Sequence, residues 1–268
     1  MTTHERRARF RALHERDEIF VMPNPWDVGS ARLLQVEGFE ALATTSQGFA
    51  WALGKQDGTV TRDELVAHVA ELAASTPLPL NVDSERCYPD DPGGIAETAS
   101  LLAEAGAAGF SIEDYDPATN GMDPIDVATA RVSQATTAVA GFVEPLVVTA
   151  RAENHIRGVD DLDDTIARLV AYRDAGADVV YAPGLVDLEQ IAQVVAAVGV
   201  PVNVLALPAG PTIPELASVG VRRVSTGSLL TSAAYGALVS GARELLGTGS
   251  SDYATRGLPR DVSAQAFG

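Results

Sequence analysis

Three acids and one arginine carry the residue types from which chemistry can be built. Asp83 and Glu85 lie two apart in Asn81-Val82-Asp83-Ser84-Glu85-Arg86-Cys87-Tyr88, and Glu113 follows the run Phe110-Ser111-Ile112. In an extended chain, residues two apart point the same way, so Asp83 and Glu85 share a face with Asn81. Like charges brought together raise each other's pKa unless a cation lies between them. Three acids with no lysine among them suit a hard divalent ion, Mg²⁺ or alternatively Mn²⁺, which takes oxygen ligands. The bland alternative is that each is a helix cap or a solvated loop residue. Arg151 is the natural anion partner, since a guanidinium beside a metal can clamp a carboxylate or stabilise an oxyanion. It could equally form a structural ion pair with Glu153 or Glu113. Cys87, the only cysteine, raises the possibility of a thiol nucleophile. No His-bearing partner motif stands near it, so the acids are read as the chemistry and the thiol as a bystander.

These residues need elements to position them. Short β-branched or apolar runs alternate with helical patterns along the whole chain. Eight strands are predicted, at 19–22, 41–44, 78–82, 109–112, 146–150, 179–182, 202–205 and 223–225. Amphipathic helices are predicted at 62–74, 94–105, 161–175, 188–198 and 213–219, with Thr61 and Asp160 or Asp161 as N-caps. A glycine stands between helix and strand at Gly38, Gly106, Gly176 and Gly220, where a left-handed C′ residue is expected. Repeated in this way, the pattern spells parallel βαβ units. Eight such strands favour a single-domain α/β fold, a (β/α)8 TIM barrel, over an open doubly wound sheet. No G-x-G-x-x-G follows the first strand, which argues against a dinucleotide site. Residues 1–246 are expected to form the barrel with an N-terminal helix, and 247–268 a tail or an arm onto another subunit.

In such a barrel the residues just past each strand face the active site. They include Thr45, Ser46, Asp83, Glu85, Glu113, Asp114, Arg151, Glu153, Asn203 and the turn Thr226-Gly227-Ser228, which could cradle an anion or simply cap a helix. His155 reads as a structural or interface residue, because no triad-like pattern surrounds it.

Composition narrows the class. Among 268 residues, 46% are hydrophobic and 21% charged, an ordinary globular balance. The net charge of −17 argues against a nucleic-acid partner, which needs clustered Lys and Arg. The charged N-terminus does not resemble a signal peptide, and the apolar runs are too short to span a bilayer. One cysteine excludes an internal disulfide and fits a reducing cytoplasm.

With these residues placed, the chain resembles the isocitrate lyase/phosphoenolpyruvate mutase superfamily from Asn24 to about Leu246. The resemblance is carried by Asn24-Pro25-Trp26-Asp27, Gly54-Lys55-Gln56-Asp57, Asp83-Ser84-Glu85 with Tyr88, the run from Gly106 to Asp114, and Thr149-Ala150-Arg151-Ala152-Glu153-Asn154. It implies a Mg²⁺-dependent barrel acting on small 2-oxo acids or phosphonates. It also implies a homo-oligomer, tetramer or dimer, whose last barrel helix is exchanged between subunits. Asp83 matches the acid that ligates the metal; Glu85 and Glu113 match acids reaching it directly or through water, and Asp57 one in the water shell. Thr45 and Ser46 fall where substrate carboxylate is bound, with Trp26, Asn120 and Asn203 as further candidate contacts. Arg151 matches the arginine touching the migrating or departing group, and joins Glu113 and Asp57 as the candidate catalytic set.

Three departures sharpen the expectation. The pattern D-x-D-x-G-Y-G is replaced by Asp83-Ser84-Glu85-Arg86-Cys87-Tyr88-Pro89, which alters the loop and brings Arg86 toward the rim. The K-K-C-G-H loop of isocitrate and methylisocitrate lyases is missing, which argues against those two activities. The lid of phosphonate-handling members has only Asn120 as a counterpart and no lysine. The favoured expectation is therefore cleavage of a C–C bond in a small 2-oxo or 2-hydroxy dicarboxylate, by a lyase, decarboxylase or hydrolase. A phosphoenolpyruvate/phosphonopyruvate mutase, a phosphonopyruvate hydrolase and a non-catalytic metabolite-binding barrel are the alternatives.

Overall fold

Where the sequence places glycine between helix and strand, the backbone does turn left-handed: φ is 90° at Gly38, 101° at Gly106, 98° at Gly176 and 89° at Gly220. Glycine tolerates these angles because it has no Cβ to clash. Each turn feeds a strand of one parallel sheet. The computed structural model describes residues 1–268. Its strands are β1 (Phe20–Met22), β2 (Leu42–Ala43), β3 (Leu80–Asp83), β4 (Gly109–Glu113), β5 (Tyr115–Asp116), β6 (Gly121–Met122), β7 (Val147–Arg151), β8 (Val179–Tyr181), β9 (Val202–Leu205) and β10 (Arg223–Ser225). The first helices are α1 (Thr3–Glu15), α2 (Val28–Val36), α3 (Ser46–Ala52), α4 (Arg62–Ser75), α5 (Gly94–Glu104) and α6 (Ile125–Val139). The rest are α7 (Leu162–Asp174), α8 (Leu188–Val198), α9 (Ile213–Ser218), α10 (Leu229–Gly247) and α11 (Arg260–Phe267).

Eight parallel strands run in the order β1-β10-β9-β8-β7-β4-β3-β2, while β5 and β6 form a separate antiparallel hairpin after β4. The seam between β1 and β2 is drawn together by the Ala43 amide, which donates to Pro23 at 3.0 Å, and by Asn24, whose side chain donates to the Thr44 carbonyl at 2.7 Å. This is the expected (β/α)8 barrel in one domain, with strand limits shifted by a residue or two. β3 starts at Leu80 because Pro77 and Pro79 have no N–H to give to a ladder. At the other end the ladders run on to pair Asp83 with Ser111, Glu113 with Arg151 and Arg151 with Tyr181. The charged residues therefore end their strands rather than follow them.

Two apolar cores hold the barrel. A cluster of 41 buried residues lies between sheet and helices, and nine more, including Phe20, Met22, Val147 and Val179, fill the barrel's lower interior. Helix α1 closes that end by inserting Phe10 and Leu13. Gly109 makes room for this plug: a Cβ there would lie 2.8 Å from the Phe10 ring and 2.6 Å from the Val147 carbonyl. Above the plug is a polar layer around Arg223, which is only 1% exposed. It donates to Asn203 Oδ1 at 2.8 Å and Thr149 Oγ1 at 3.0 Å, and reaches His14 Nε2 at 3.1 Å. Arginine can only donate, so His14 accepts at Nε2 and gives its Nδ1 proton to the Phe10 carbonyl at 2.8 Å. Burial pulls the Arg223 guanidinium down to about 9 and His14 down to about 3.

The C-terminal part differs from the expected tail. Residues 260–267 form α11, which packs on α2 of the same chain. Only Thr231 and Gly241 of the nineteen residues in α10 are buried, and Leu238 and Leu246 are 70% and 89% exposed. No helix is long and apolar enough to cross a membrane.

His68 stacks on Phe49 with ring centroids 3.7 Å apart, and burial lowers its pKa to about 4. The unfolded chain takes up this proton near pH 6.5, while the folded chain refuses it until about pH 4. Stability is therefore lost as pH falls through that window. His68→Phe keeps a stacked ring and should lose less stability between pH 6.5 and 4, by up to about 3 kcal/mol. Urea midpoints that fall in parallel for the two proteins would contradict this.

Candidate active site

The strand ends at the C-terminal mouth enclose a cavity of about 340 Å³. Asp83, Arg151, Tyr181 and Ser225 are the final residues of β3, β7, β8 and β10, and all line it. Thr45, Ser46 and Gln47 supply the wall beside Asp83, where Thr45 caps α3 by accepting from the Gly48 amide. Asp57 and Asn203 also line the cavity.

Arg151 is the centre of the site. Its guanidinium lies 2.8 Å from Asp83, 3.1 Å from Glu113 and 2.9 Å from Glu153, and 5.4 Å from the centroid of the Tyr181 ring. Burial acts against its charge, but Glu153, Glu113 and Asp83 outweigh that and hold its pKa well above the usual value. Both structural partners foreseen from the sequence, Glu153 and Glu113, are thus present, and Asp83 is a third. Asp83 also accepts from the Ser46 amide at 3.1 Å, which joins the β3 end to the start of α3.

The acids are crowded. The carboxyl of Glu113 is raised well above the usual range, chiefly by burial, with Glu153, Asp83 and Glu85 adding to the effect against Arg151. Burial and then Asp83 and Asp57 push Glu85 up to about 7. Asp57, whose side chain stays largely open to solvent, is raised by partial desolvation and by Asp83. Around one guanidinium there is more negative charge than it can balance.

The expectation that Asp83 and Glu85 share one face is not met. The chain leaves the extended conformation after Asp83, and Glu85 has φ 50°. Glu85 faces a smaller neighbouring cavity of about 210 Å³ with Gly58, Arg86 and Tyr88. Glu113 lies behind Arg151 and does not line the main cavity. As the side chains stand, no three acids converge closely enough to hold an ion, because Arg151 lies among them. In chemistry, however, the donors suit a hard cation, because they are all carboxylate oxygens.

Other expected residues fall outside the cavity. Trp26 packs edge-on against Tyr235 of α10, with ring centroids 6.5 Å apart. Asn120 is exposed in the β5–β6 turn and accepts from the Tyr115 hydroxyl at 2.7 Å. Arg86 turns away from the rim to pair with Asp116 at 3.0 Å. His155 is held by Thr165 and Asp160 and is structural. The Thr226-Gly227 amides donate to Asn24 Oδ1 at 2.8 and 3.0 Å, so this turn holds the barrel seam. Cys87 is fully buried, and burial pushes its thiol up to about 12, which removes it as a nucleophile.

Arg157, Tyr181 and Ser111 line the cavity and were not singled out from the sequence. Attention to residues past the strands passes over Tyr181, which is the last residue within β8. Arg157 reaches the mouth through the 3₁₀ turn His155–Arg157, whose only sequence mark is Gly158.

A profile of the phosphoenolpyruvate phosphomutase family matches residues 10–246. The chain belongs to the phosphoenolpyruvate mutase/isocitrate lyase superfamily. A solved structure from Burkholderia cenocepacia J2315 is 46% identical with a TM-score of 0.94, covering 99% of this chain and 97% of that one. The oxaloacetate decarboxylase of Paraburkholderia xenovorans is 32% identical over 242 residues, 87% of this chain and 79% of its own. Oxaloacetate acetylhydrolase, solved with its product oxalate, is 25% identical with a TM-score of 0.87 over 98% and 94% of the two chains. Members of this superfamily are lyases and mutases, and the chain is an enzyme of that type.

Within the run Ile112-Glu113-Asp114, the third residue serves the fold. Asp114 is buried, accepts from Arg168 at 3.0 Å and Tyr172 at 2.6 Å, and takes the Glu153 amide at 2.9 Å. Asp114→Ala should cost about 2 kcal/mol, because Arg168 and Tyr172 lose their shared buried acceptor and Arg168 keeps only Asp164 and the Asp123 carbonyl. Urea unfolding measures this, and a cost below about 1 kcal/mol would refute the assignment.

Proposed function

We propose that the protein is a Mg²⁺-dependent enzyme that cleaves a C–C bond in a small 2-oxo or 2-hydroxy dicarboxylate. The observation that carries this reading is the gathering of carboxylates around Asp83 at the mouth of the barrel, beside a helix start whose Ser46 amide donates to Asp83. Asp83 would hold the ion, with Glu85, Glu113 and Asp57 reaching it through water. When bound, the ion supplies Lewis-acid stabilisation of the charge that develops on the 2-oxo oxygen.

The remaining work falls to side chains of this chain. Thr45 and Ser46 bind the substrate carboxylate, and Asn203 sets the floor, held by Arg223 and Ser225. Arg151 faces the departing part of the substrate and stabilises charge there. Glu113 and Asp57, both raised above the usual carboxylate range by burial, are the candidate proton-carrying groups of the site. The oxaloacetate-processing relatives support C–C chemistry. Phosphorus transfer has less support, because the hairpin carries no lysine and Asn120 turns to Tyr115 at the surface.

We also read the exposed apolar face of α10 as a contact with another copy of the chain. Light scattering should give a dimer or tetramer, and Leu238→Glu should shift it toward monomer. A monomeric wild type would remove this reading.

Titration calorimetry with oxalate, an analogue of the small oxo acid's chelating end, tests the chemistry. Wild type should bind oxalate only with Mg²⁺ present, Asp83→Ala should lose binding, and Cys87→Ser should retain it. Metal-independent binding, or unchanged binding by Asp83→Ala, would sink the proposal.

A further inference from the structure

Three arginines line the cavity, and two of them, Arg151 and Arg157, are held in opposite ways. Arg151 is enclosed, with three carboxylates at 2.8–3.1 Å. The carboxylate oxygens nearest Arg157 are those of Glu153 at 3.5 Å and Glu113 at 4.0 Å. Neither distance is that of a good charge-assisted hydrogen bond. The Arg157 side chain is 40% exposed against 14% for Arg151.

What fixes Arg157 is an aromatic ring. Its Cζ lies 3.4 Å from the centroid of Tyr115, close enough for a cation–π contact. Tyr115 is anchored in turn by its hydroxyl, which donates to Asn120 across the β5–β6 hairpin. The turn bearing Arg157 is clamped from the other side by Gly184. A Cβ at that position would meet the Ile156 nitrogen at 2.6 Å, so only glycine lets the β8 loop lie against the turn. The guanidinium is thus preorganised as a flat fork at the mouth, and its donors are open to a ligand. The third arginine near the cavity, Arg223, is 1% exposed and already donates to Asn203, Thr149 and His14.

Resting on the oxo-acid reading, we infer that Arg157 is a specificity-determining residue that binds the anionic group at the far end of the substrate. The chelating end of a 2-oxo acid belongs beside Asp83 and Ser46. A second carboxylate two or three bonds away then projects toward the mouth, where Arg157 is the cation with open donors. The site accordingly selects dianionic oxo acids over monoanions of the pyruvate type. The Tyr115 stack keeps the fork facing the cavity and prevents it from closing onto Glu153.

Calorimetry on the full chain with Mg²⁺ and two probes tests this assignment. Oxalate ends at the chelating unit, whereas 3,3-difluorooxaloacetate adds a distal carboxylate. Arg157→Gln should bind oxalate within about twofold of wild type and lose about tenfold or more in difluorooxaloacetate affinity. Tyr115→Leu should show a smaller loss of the same selectivity. Equal losses for both probes in Arg157→Gln, or no loss for either, would overturn the assignment. So would a wild type that binds oxalate but not the longer probe, and in that case the oxo-acid reading survives. A wild type that binds neither probe defeats that reading and the assignment with it.

Discussion

The mouth of this barrel is governed by the ion pairing of one enclosed guanidinium, Arg151, with Asp83, Glu113 and Glu153. Removing charge from water is costly unless partners replace the lost solvation. One arginine cannot satisfy three carboxylates with Glu85 and Asp57 nearby; burial first, and the neighbouring acids second, raise the pKa values of Glu113, Glu85 and Asp57. Protons or a cation must relieve the excess charge. The rest of the mouth is arranged around this imbalance: the Ser46 amide on Asp83, the Tyr181 ring near Arg151, and Arg157 at the edge with donors to spare.

The loop after β3 bears the strain of this arrangement. Glu85, Cys87 and Tyr88 all have φ near 50–60°, a region costly for residues with a Cβ. Where the related pattern has glycine at position 87, this chain places a cysteine in the same left-handed backbone. Several contacts over-determine the loop. The Cys87 amide donates to Ser84 at 2.7 Å, the Ser84 hydroxyl to Ser111 at 2.6 Å, and the Tyr88 hydroxyl to Val60 at 3.1 Å. Arg86 ties the loop to Asp116 and Asp123, and Asp123 pairs with Arg131 of α6. The thiol packs in the apolar core, so its role is to fill space in a rebuilt loop.

Deeper in the barrel, the polar layer links the N-terminal plug to the floor of the cavity. His14 of α1 orients Arg223, Arg223 orients Asn203, and Asn203 donates to Ser225 at 2.9 Å. A cation without a carboxylate partner can remain in this interior because each of its donors has a neutral acceptor. The sheet's other layers are apolar, so the barrel is closed below and chemically open only above.

Periodicity and punctuation in the sequence were enough to determine eight parallel strands, the single barrel and the end of it that carries the chemistry. Glycine and proline restrict the backbone locally, and apolar repeats need no knowledge of distant contacts. The ordered motifs likewise marked Asp83, Arg151, Thr45 and Ser46 at the mouth, with Glu113 against Arg151 behind it. Tertiary structure alone decided which charges meet. Arg151 joins Asp83 across 68 positions of sequence, Glu85 turns out of line because β3 ends at Asp83 and the backbone turns left-handed at Glu85, and Asn120 and Trp26 face elsewhere. Arg157 gained its place through a ring on a different hairpin. The physical reason is that spacing fixes direction only while the backbone is regular. Beyond the strand ends, side-chain placement depends on loops whose shape is set by partners far away in the chain.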